Sequence, residues 1–515
     1  MDAISSAGAT STRARLAAVG LALAAALLLA AVAPDVGPWG DGLGILAALA
    51  DTSGADPRVY HLGYALFARL ALTVADAVGM AHEPALIHMS RAALAAGAAT
   101  TVWVATGLRA RPSVALGWVV VALASPSLWF FSGVVEVHAV QFLGSAVALL
   151  LAVRAHRSTS DVRRYLLVLA AAGVALILHL SHLLLLPGLF LLALPTDGNG
   201  AVGRRRLVIG GAGLVVLGVA VALGCFAYFR GLEPSAPVPG GLLRPVYYLG
   251  LYEHTFLHFK SIFGWFGPTD VLRFLAAEGL GQGGFLWLAG ALACVTTRGR
   301  LRQALVAVAV VYVLVVSQAG LRERGGYFVS LAPWFVVGAA AAATNGGRAL
   351  RLAPWLVLPL QLALGWNDLA DHARRPDART WSRAVLAVVE QPCTVFTADM
   401  VRLSALPLAS DGLDGLQWSQ QFEFTPRSRW DATLKADYEA ALVTALGSGA
   451  VYLDADILGA GSALHERAAW QRWATDLFER PDVVLLPIAA PPGPPFERLG
   501  GGGVPLLFEL RPAQR

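Results

Sequence analysis

The reading of the chain turns on Pro38-Trp39-Gly40-Asp41-Gly42-Leu43-Gly44-Ile45. This loop follows an apolar run, Leu16 to Ala33, close to the roughly 20 apolar residues that a bilayer-crossing helix needs. Arg13 and Arg15 precede the run, so a cleaved secretion signal is the competing reading; the polar loop behind it favours a retained first helix. An acid set among glycines lets backbone and substrate approach a carboxylate closely, which makes Asp41 the first candidate for chemistry.

The composition agrees with a membrane setting. Of 515 residues, 56% are hydrophobic and 14% charged, with mean hydropathy +0.61, whereas an average soluble domain carries about 25% charge. The net charge of +5 rests on arginine, since Lys260 and Lys435 are the only lysines. The arginines fall in short loops between apolar runs, a pattern of membrane orientation rather than of nucleic-acid binding. Cys225, Cys294 and Cys393 have no paired spacing, so neither a disulfide framework nor a cysteine metal site is expected.

Eleven spans are expected, near 16–33, 86–107, 114–131, 136–153, 165–179, 183–195, 207–229, 283–297, 303–319, 327–344 and 352–366. Residues 60–80, with Arg69 and Asp76 inside an apolar stretch, read as a helix lying along the membrane surface. With the spans alternating, Arg13/Arg15, Arg109/Arg111, Arg154–Arg164, Arg204–Arg206, Arg298–Arg302 and Arg348/Arg351 share one side, which predicts a cytoplasmic N-terminus. Outer loops 34–85 and 230–282, the Glu136 end, the His179–His182 turn and the Arg322–Arg324 turn then share the opposite face. Residues 1–366 form the expected transmembrane domain. From 367 to 515 charges run throughout, and helical patterns (Thr380–Glu390, Asp431–Leu446, Ala463–Phe478) alternate with short apolar strands (Cys393–Thr397, Ala450–Asp454, Val483–Pro487, Val504–Leu510). That predicts an extracytoplasmic soluble α/β domain.

Further candidates lie on the outer face. His61-Leu62-Gly63-Tyr64 follows the Asp41 loop, and Trp129 to Phe131 lead into Glu136-Val137-His138. Glu136 is placed to orient a neighbour or an acceptor, and His138 to bind phosphate or polar groups; a helix-end role is the plainer alternative. His179 and His182, three apart, would share one face of a helix. No third ligand stands near them, so phosphate binding or a satisfied polar contact is favoured over a metal. Arg322-Glu323-Arg324 is either a snorkelling pair or a phosphate clamp, for which a planar guanidinium is suited. Asp454-Ala455-Asp456 has the look of a metal-binding pair but no nucleotide-binding pattern around it. No Walker A loop, zinc-protease motif or nucleophile elbow occurs.

Taken in order, these motifs resemble the GT-C superfamily of polyprenyl-phosphate-sugar glycosyltransferases, and within it the membrane family related to protein O-mannosyltransferases. Asp41-Gly42-Leu43-Gly44-Ile45 stands for that family's Asp-Ser-Gly-Glu-Phe-like motif, and His61-Leu62-Gly63-Tyr64-Ala65 for its His-Pro-Pro-Gly-Tyr-Pro-like motif. Glu136-Val137-His138-Ala139 stands for an aromatic-led Glu-Val-Tyr-Ala segment, His179 to Pro187 for a His-rich turn, and Arg322-Glu323-Arg324-Gly325-Gly326-Tyr327-Phe328 for an Arg-Glu-Arg-Asp-Tyr-Phe-like turn. The chain departs from the pattern where Gly44 replaces a Glu, the prolines after His61 are missing, His138 replaces a Tyr and Gly326 lengthens the Arg turn.

The resemblance implies a GT-C helical bundle with its active site on the outer face. Asp41 would be the general base for inverting transfer of a sugar, with mannose favoured, from a polyprenyl- or dolichyl-phosphate donor to a protein, glycan or lipid hydroxyl. His61, Tyr64, Glu136 and His138 would support the acceptor side, and His179, His182, Arg322 and Arg324 the donor phosphate. No metal or other cofactor and no nucleic-acid partner are expected. The Ala/Gly/Arg-rich composition points to a bacterial inner membrane. A transporter or lipid flippase, or an inactive scaffold on the same fold, are the rival readings; the former lacks an inverted repeat and a charge in the middle of a span.

Overall fold

The structure, a computed structural model, describes residues 12–33, 37–38, 62–158, 161–193, 266–319, 324–373, 378–390, 393–397, 413–417, 439–440, 442–447, 449–454, 483–489 and 505–512. Asp41, His61, Arg322, Asp456, the expected span 207–229 and most of the loop 230–282 lie outside the described residues. The chain divides into two compact units, one made of Met1–Pro38, Ala48–Glu253 and Phe266–Leu369, the other of Trp39–Ala47, His254–Trp265 and Ala370–Arg515.

The first unit is helical. Its elements are α1 (Thr12–Val32), α2 (Leu62–Val78), α3 (His82–Gly107), α4 (Pro112–Leu123), α5 (Pro126–Phe130), α6 (His138–His156), α7 (Asp161–Leu178), α8 (Leu186–Ala193), α9 (Pro268–Phe274), α10 (Phe285–Thr296), α11 (Gly299–Ala319), α12 (Ala332–Asn345) and α13 (Arg348–Ala373). Helix α6 packs against α3 and α7, and α1 against α3 and α4. The helix that the sequence places over 60–80 is α2, and it lies on α3.

Five of the described helical segments are long and apolar enough to cross a membrane: Thr12–Val32, His138–His156, Gly299–Gln318, Gly326–Thr344 and Arg348–Ala370. A sixth crossing is available if Pro268–Gly281 and Phe285–Thr296, which meet at a bend of 111°, count as one. Leu28, Leu70, Leu314 and Leu356 project from α1, α2, α11 and α13 at more than half exposure. Faces this apolar need a non-aqueous neighbour, and lipid supplies it. The chain is an integral membrane protein.

Several expected spans are broken, and each break has a local cause. The run 114–131 is two helices because Ser125 takes an extended conformation, accepts a hydrogen bond from the Leu128 amide, and places Pro126 at the first helical position. The run 136–153 starts at His138, two residues late, because Val134–Val135 is a strand. The expected spans 165–179 and 183–195 part at His179 as read, where φ of −161° is extended backbone, and a 3-10 turn, Leu180–Leu185, leads into α8. His179 and His182 therefore do not share a helix face; the spacing argument assumed a continuous helix that is absent. Likewise 327–344 opens as a 3-10 turn, Gly326–Leu331, before α12.

The second unit holds α14 (Ala378–Leu386) and a five-stranded sheet. Its strands are β3 (Cys393–Thr397), β4 (Leu413–Gln417), β5 (Ala450–Asp454), β6 (Val483–Ala489) and β7 (Pro505–Pro512), in the order β4-β3-β5-β7-β6. β3 is parallel to both β4 and β5, while β7 runs antiparallel to β5 and β6. Val451, Tyr452 and Leu453 are buried in succession, as in a strand covered on both faces. Trp381, Ala384 and Val385 turn one face of α14 into a core with Cys393, Val395 and Leu507. Within this core the Glu390 amide donates to the Tyr452 hydroxyl at 3.0 Å.

Candidate active site

The segment from Trp129 to His138 runs between helices and carries the candidate site of the helical unit. Its anchors are backbone contacts. Trp129 Nε1 donates to the Leu29 carbonyl at 2.8 Å, which ties it to the end of α1. Strand β1 (Gly37–Pro38) then pairs in parallel with β2 (Val134–Val135), Gly37 opposite Val134 and Pro38 opposite Val135. The chain that leads into the Asp41 loop is thereby fixed beside the chain that leads into Glu136.

Glu136 is buried, and its Oε1 accepts the Val137 amide at 2.9 Å. That places a carboxylate at the N-terminal end of α6, where the helix dipole favours negative charge. Tyr64, in the first turn of α2, faces it. Its side chain is only 1% exposed, and its hydroxyl has no hydrogen-bond partner among the described residues. Burial, and then the Glu136 charge, push its phenol above the ordinary tyrosine range. Tyr64 and Glu136 thus share one buried locale with an uncommitted hydroxyl.

Two residues on, a hydrogen-bond chain begins. His138 Nδ1 lies 2.7 Å from Gln141 Oε1, Gln141 Nε2 donates to Ser181 Oγ at 3.0 Å, and Ser181 Oγ lies 2.6 Å from His179 Nδ1. The directions follow from donor counting. The Ser181 amide donates to His179 Nδ1 at 3.1 Å, so that nitrogen is an acceptor, Ser181 donates to it, and neutral His179 carries its proton on Nε2. At the other end Gln141 Oε1 only accepts, so His138 carries its proton on Nδ1. Tyr312 from α11 donates to the Ser181 carbonyl at 3.1 Å. The rings of His138, His179 and Tyr327 stand 5.9 to 6.5 Å apart, centroid to centroid, and Phe131 packs on His138 at 4.4 Å.

His182 does something else. Fully buried, it donates from Nδ1 to the Ala175 carbonyl at 2.7 Å and accepts from the Ser330 hydroxyl at Nε2, 2.9 Å away. Both nitrogens are spent joining α7 to the 3-10 turn before α12, which leaves no ring nitrogen for a donor phosphate.

The Arg324 turn closes the site. Arg324 takes a left-handed φ of +51° and stacks its guanidinium 4.1 Å over the Phe130 ring. It pairs with Asp368 of α13. Gly325, at φ +72°, donates its amide to Glu278 Oε2 at 2.7 Å. Gly326 explains the lengthened turn: a Cβ there would stand 2.3 Å from His138 Nε2. The His at 138 and the glycine at 326 are two departures that meet at one contact.

The structure therefore brings together Tyr64, Glu136, His138, His179 and Arg324 and gives His182 a packing role. It adds Gln141, Ser181, Glu278, Tyr312, Tyr327 and Asp368. Of these, Glu278 and Asp368 had a readable signal, acids just outside the expected spans 283–297 and 352–366, and Tyr327 stood in the Arg-turn motif; Gln141, Ser181 and Tyr312 carry no such signal. Among the described residues no group of three His, Cys, Asp or Glu side chains is placed to hold a metal.

No family model and no curated protein matches the chain. Solved structures do. The oligosaccharyltransferase of Archaeoglobus fulgidus, in complex with Zn and sulfate, aligns with a TM-score of 0.53 at 13% identity over 89% of this chain and 70% of its own. The oligosaccharyltransferase AglB from the same organism, with an inhibitory peptide and a dolichol-phosphate, aligns at 0.50 and 11% identity over 86% of this chain and 69% of that one. ArnT from Cupriavidus metallidurans, bound to undecaprenyl phosphate, aligns at 0.53 and 14% identity over 87% of this chain and 94% of that one. At such identities the likeness establishes the fold alone, which this chain shares with these solved structures.

Proposed function

We propose that this chain is a membrane glycosyltransferase that moves a sugar, with mannose favoured, from a polyprenyl-phosphate donor to an acceptor hydroxyl on a protein, glycan or lipid. The observation that carries the reading is the pairing of 37–38 with 134–135. Asp41 follows Pro38 by three residues, a length of chain that reaches about 11 Å at most. This short connection supports Asp41 as the residue that acts together with Glu136, Tyr64 and His138. The dolichol-phosphate and undecaprenyl phosphate in the structures that share the fold support a lipid-phosphate donor.

In the proposed step, the acceptor oxygen attacks the anomeric carbon and its proton passes to the Asp41 carboxylate. The bond between that carbon and the phosphate oxygen breaks, the phosphate leaves with the electron pair, and the anomeric configuration inverts. Arg324, aimed by Phe130 and Asp368, offers charge-assisted donors to the leaving phosphate, with Arg322 of the same turn and the His179 Nε2–H beside it. Glu136, His61, His138 and the uncommitted Tyr64 hydroxyl serve the acceptor. The arginine-bearing loops support a cytoplasmic N-terminus, with the site and the sheet-containing unit on the extracytoplasmic side of a bacterial inner membrane. There the second unit would recognise the acceptor.

Purified chain incubated with polyprenyl-phosphate mannose and a panel of Ser/Thr peptides and glycolipids tests the reading. The expected result is free polyprenyl phosphate and a product of inverted anomeric configuration. Intact donor after incubation with every acceptor, together with donor movement across sealed vesicles, would replace the transferase by a flippase.

A further inference from the structure

About 20 to 28 Å along α1 and α6 from the candidate site, at the 1.5 Å rise per residue of a helix, the same unit gathers charge of one sign. Arg15 opens α1, Arg154 and Arg157 close α6, and Arg109 follows α3. The side chains of Arg15 and Arg157 meet at the same place: a point beside Gly107 lies 3.2 Å from an Arg15 nitrogen and 3.6 Å from an Arg157 nitrogen. Arg15 donates to the Trp103 carbonyl at 2.7 Å, lies 3.4 Å over the Trp103 ring, and keeps its Nε buried without a partner. Arg157 donates to the Gly107 carbonyl and feels the charge of Arg109; Arg15 feels those of Arg157 and Arg154. Arg109 sits at a φ of +68°, where Gly or Asn would cost less.

Among the described residues, no ion pair involves any of these four arginines. The carbonyl ends of α3 and α6 offset about half a charge each, which leaves roughly three positive charges uncompensated among the described residues. Arginines that serve orientation alone would splay into water. Here Arg15 is half-buried and meets Arg157 beside Gly107, while Arg109 and Arg154 stand exposed.

We propose that Arg15, Arg109, Arg154 and Arg157 form a binding site for a phosphate-bearing anion, supplied by the headgroup of an anionic phospholipid. The lipid source is favoured because the cluster stands where apolar helices end, the position at which basic pockets between spanning helices take acidic headgroups. Arginine's fork fits phosphate oxygens in pairs, and the site owes nothing to the proposed transfer reaction.

Thermal unfolding of the full chain in neutral detergent tests this. Dioleoylphosphatidylglycerol should raise Tm by about 3 °C more than dioleoylphosphatidylcholine, and the difference should shrink in 0.5 M NaCl. The Arg15→Gln/Arg157→Gln variant should lose the preference, while Arg13→Gln, two residues away and exposed, keeps it. Should the double variant fail to fold, Arg154→Gln should still halve the difference. Inorganic phosphate that reproduces the full shift would keep the anion site and overturn its assignment to lipid. Equal stabilisation by the two lipids, or an undiminished preference in the arginine variants that fold, would overturn the site.

Discussion

At one end of the helical unit His138, Gln141, Ser181 and His179 pass hydrogen bonds along a chain, and Arg324 has Asp368 as its counter-ion. At the other, Arg15 and Arg157 converge beside Gly107 with backbone carbonyls as their acceptors. The first end commits its polar groups before any ligand arrives, which is how preorganised sites avoid reorganisation in the transition state. The second holds charge that an external anion would neutralise. The same residue type, arginine, is aimed by a carboxylate in one place and left to wait in the other.

The sharpest break of this comparison comes at Gly326. Its replacement by alanine forces His138 out of the chain, and we predict a loss of about 1–3 kcal/mol in stability. Transfer should fall at least tenfold even in the folded fraction, measured as turnover per correctly folded molecule. Unchanged turnover would mean that His138 is not held for a purpose. Gln141→Leu strands the donor of His138 and the hydroxyl of Ser181 in a buried setting, at a cost of about 1–3 kcal/mol. A chemical-denaturation midpoint no different from wild type would show that the chain of bonds is not a structural unit.

A smaller effect separates the two kinds of arginine. Arg324→Lys keeps the charge but loses the planar fork, and should raise the donor KM about tenfold, or about 1.4 kcal/mol. Arg15→Lys should leave donor KM where it is. Equal effects would erase the distinction between the ends. The least disruptive change is Tyr64→Phe. The hydroxyl it removes has no partner among the described residues, so stability should hold or rise slightly. Acceptor KM should rise several-fold if the hydroxyl meets substrate; a fall in Tm with unaltered KM would place it in packing instead.

The helices were legible because long apolar runs announce themselves, and α1, α11 and α13 fall within a few residues of their expected spans. The strands Cys393–Thr397 and Ala450–Asp454 were read from their apolar, β-branched content. Leu413–Gln417 was not, since its Asp414 and Gly415 disfavour a strand and only pairing with β3 makes it one. In the site, ionisable residues were found by type, but the partners that orient them were not. Ser181 lies 40 residues from Gln141 and 131 from Tyr312, and nothing local in an uncharged side chain reports such a pairing. The spacing of His179 and His182 suggests a shared helix face, which is absent because the backbone leaves the helix at His179; the satisfied polar contact is the reading that fits His182.

The central claim is that the Asp41 carboxylate takes the acceptor's proton. It is tested most directly by comparing sugar transfer from labelled polyprenyl-phosphate mannose into membranes that carry equal amounts of wild type or Asp41→Asn. The account predicts incorporation by the wild type and a loss of about a hundredfold or more in the variant, the upper part of the usual contribution of a general base. Equal incorporation by both would contradict it.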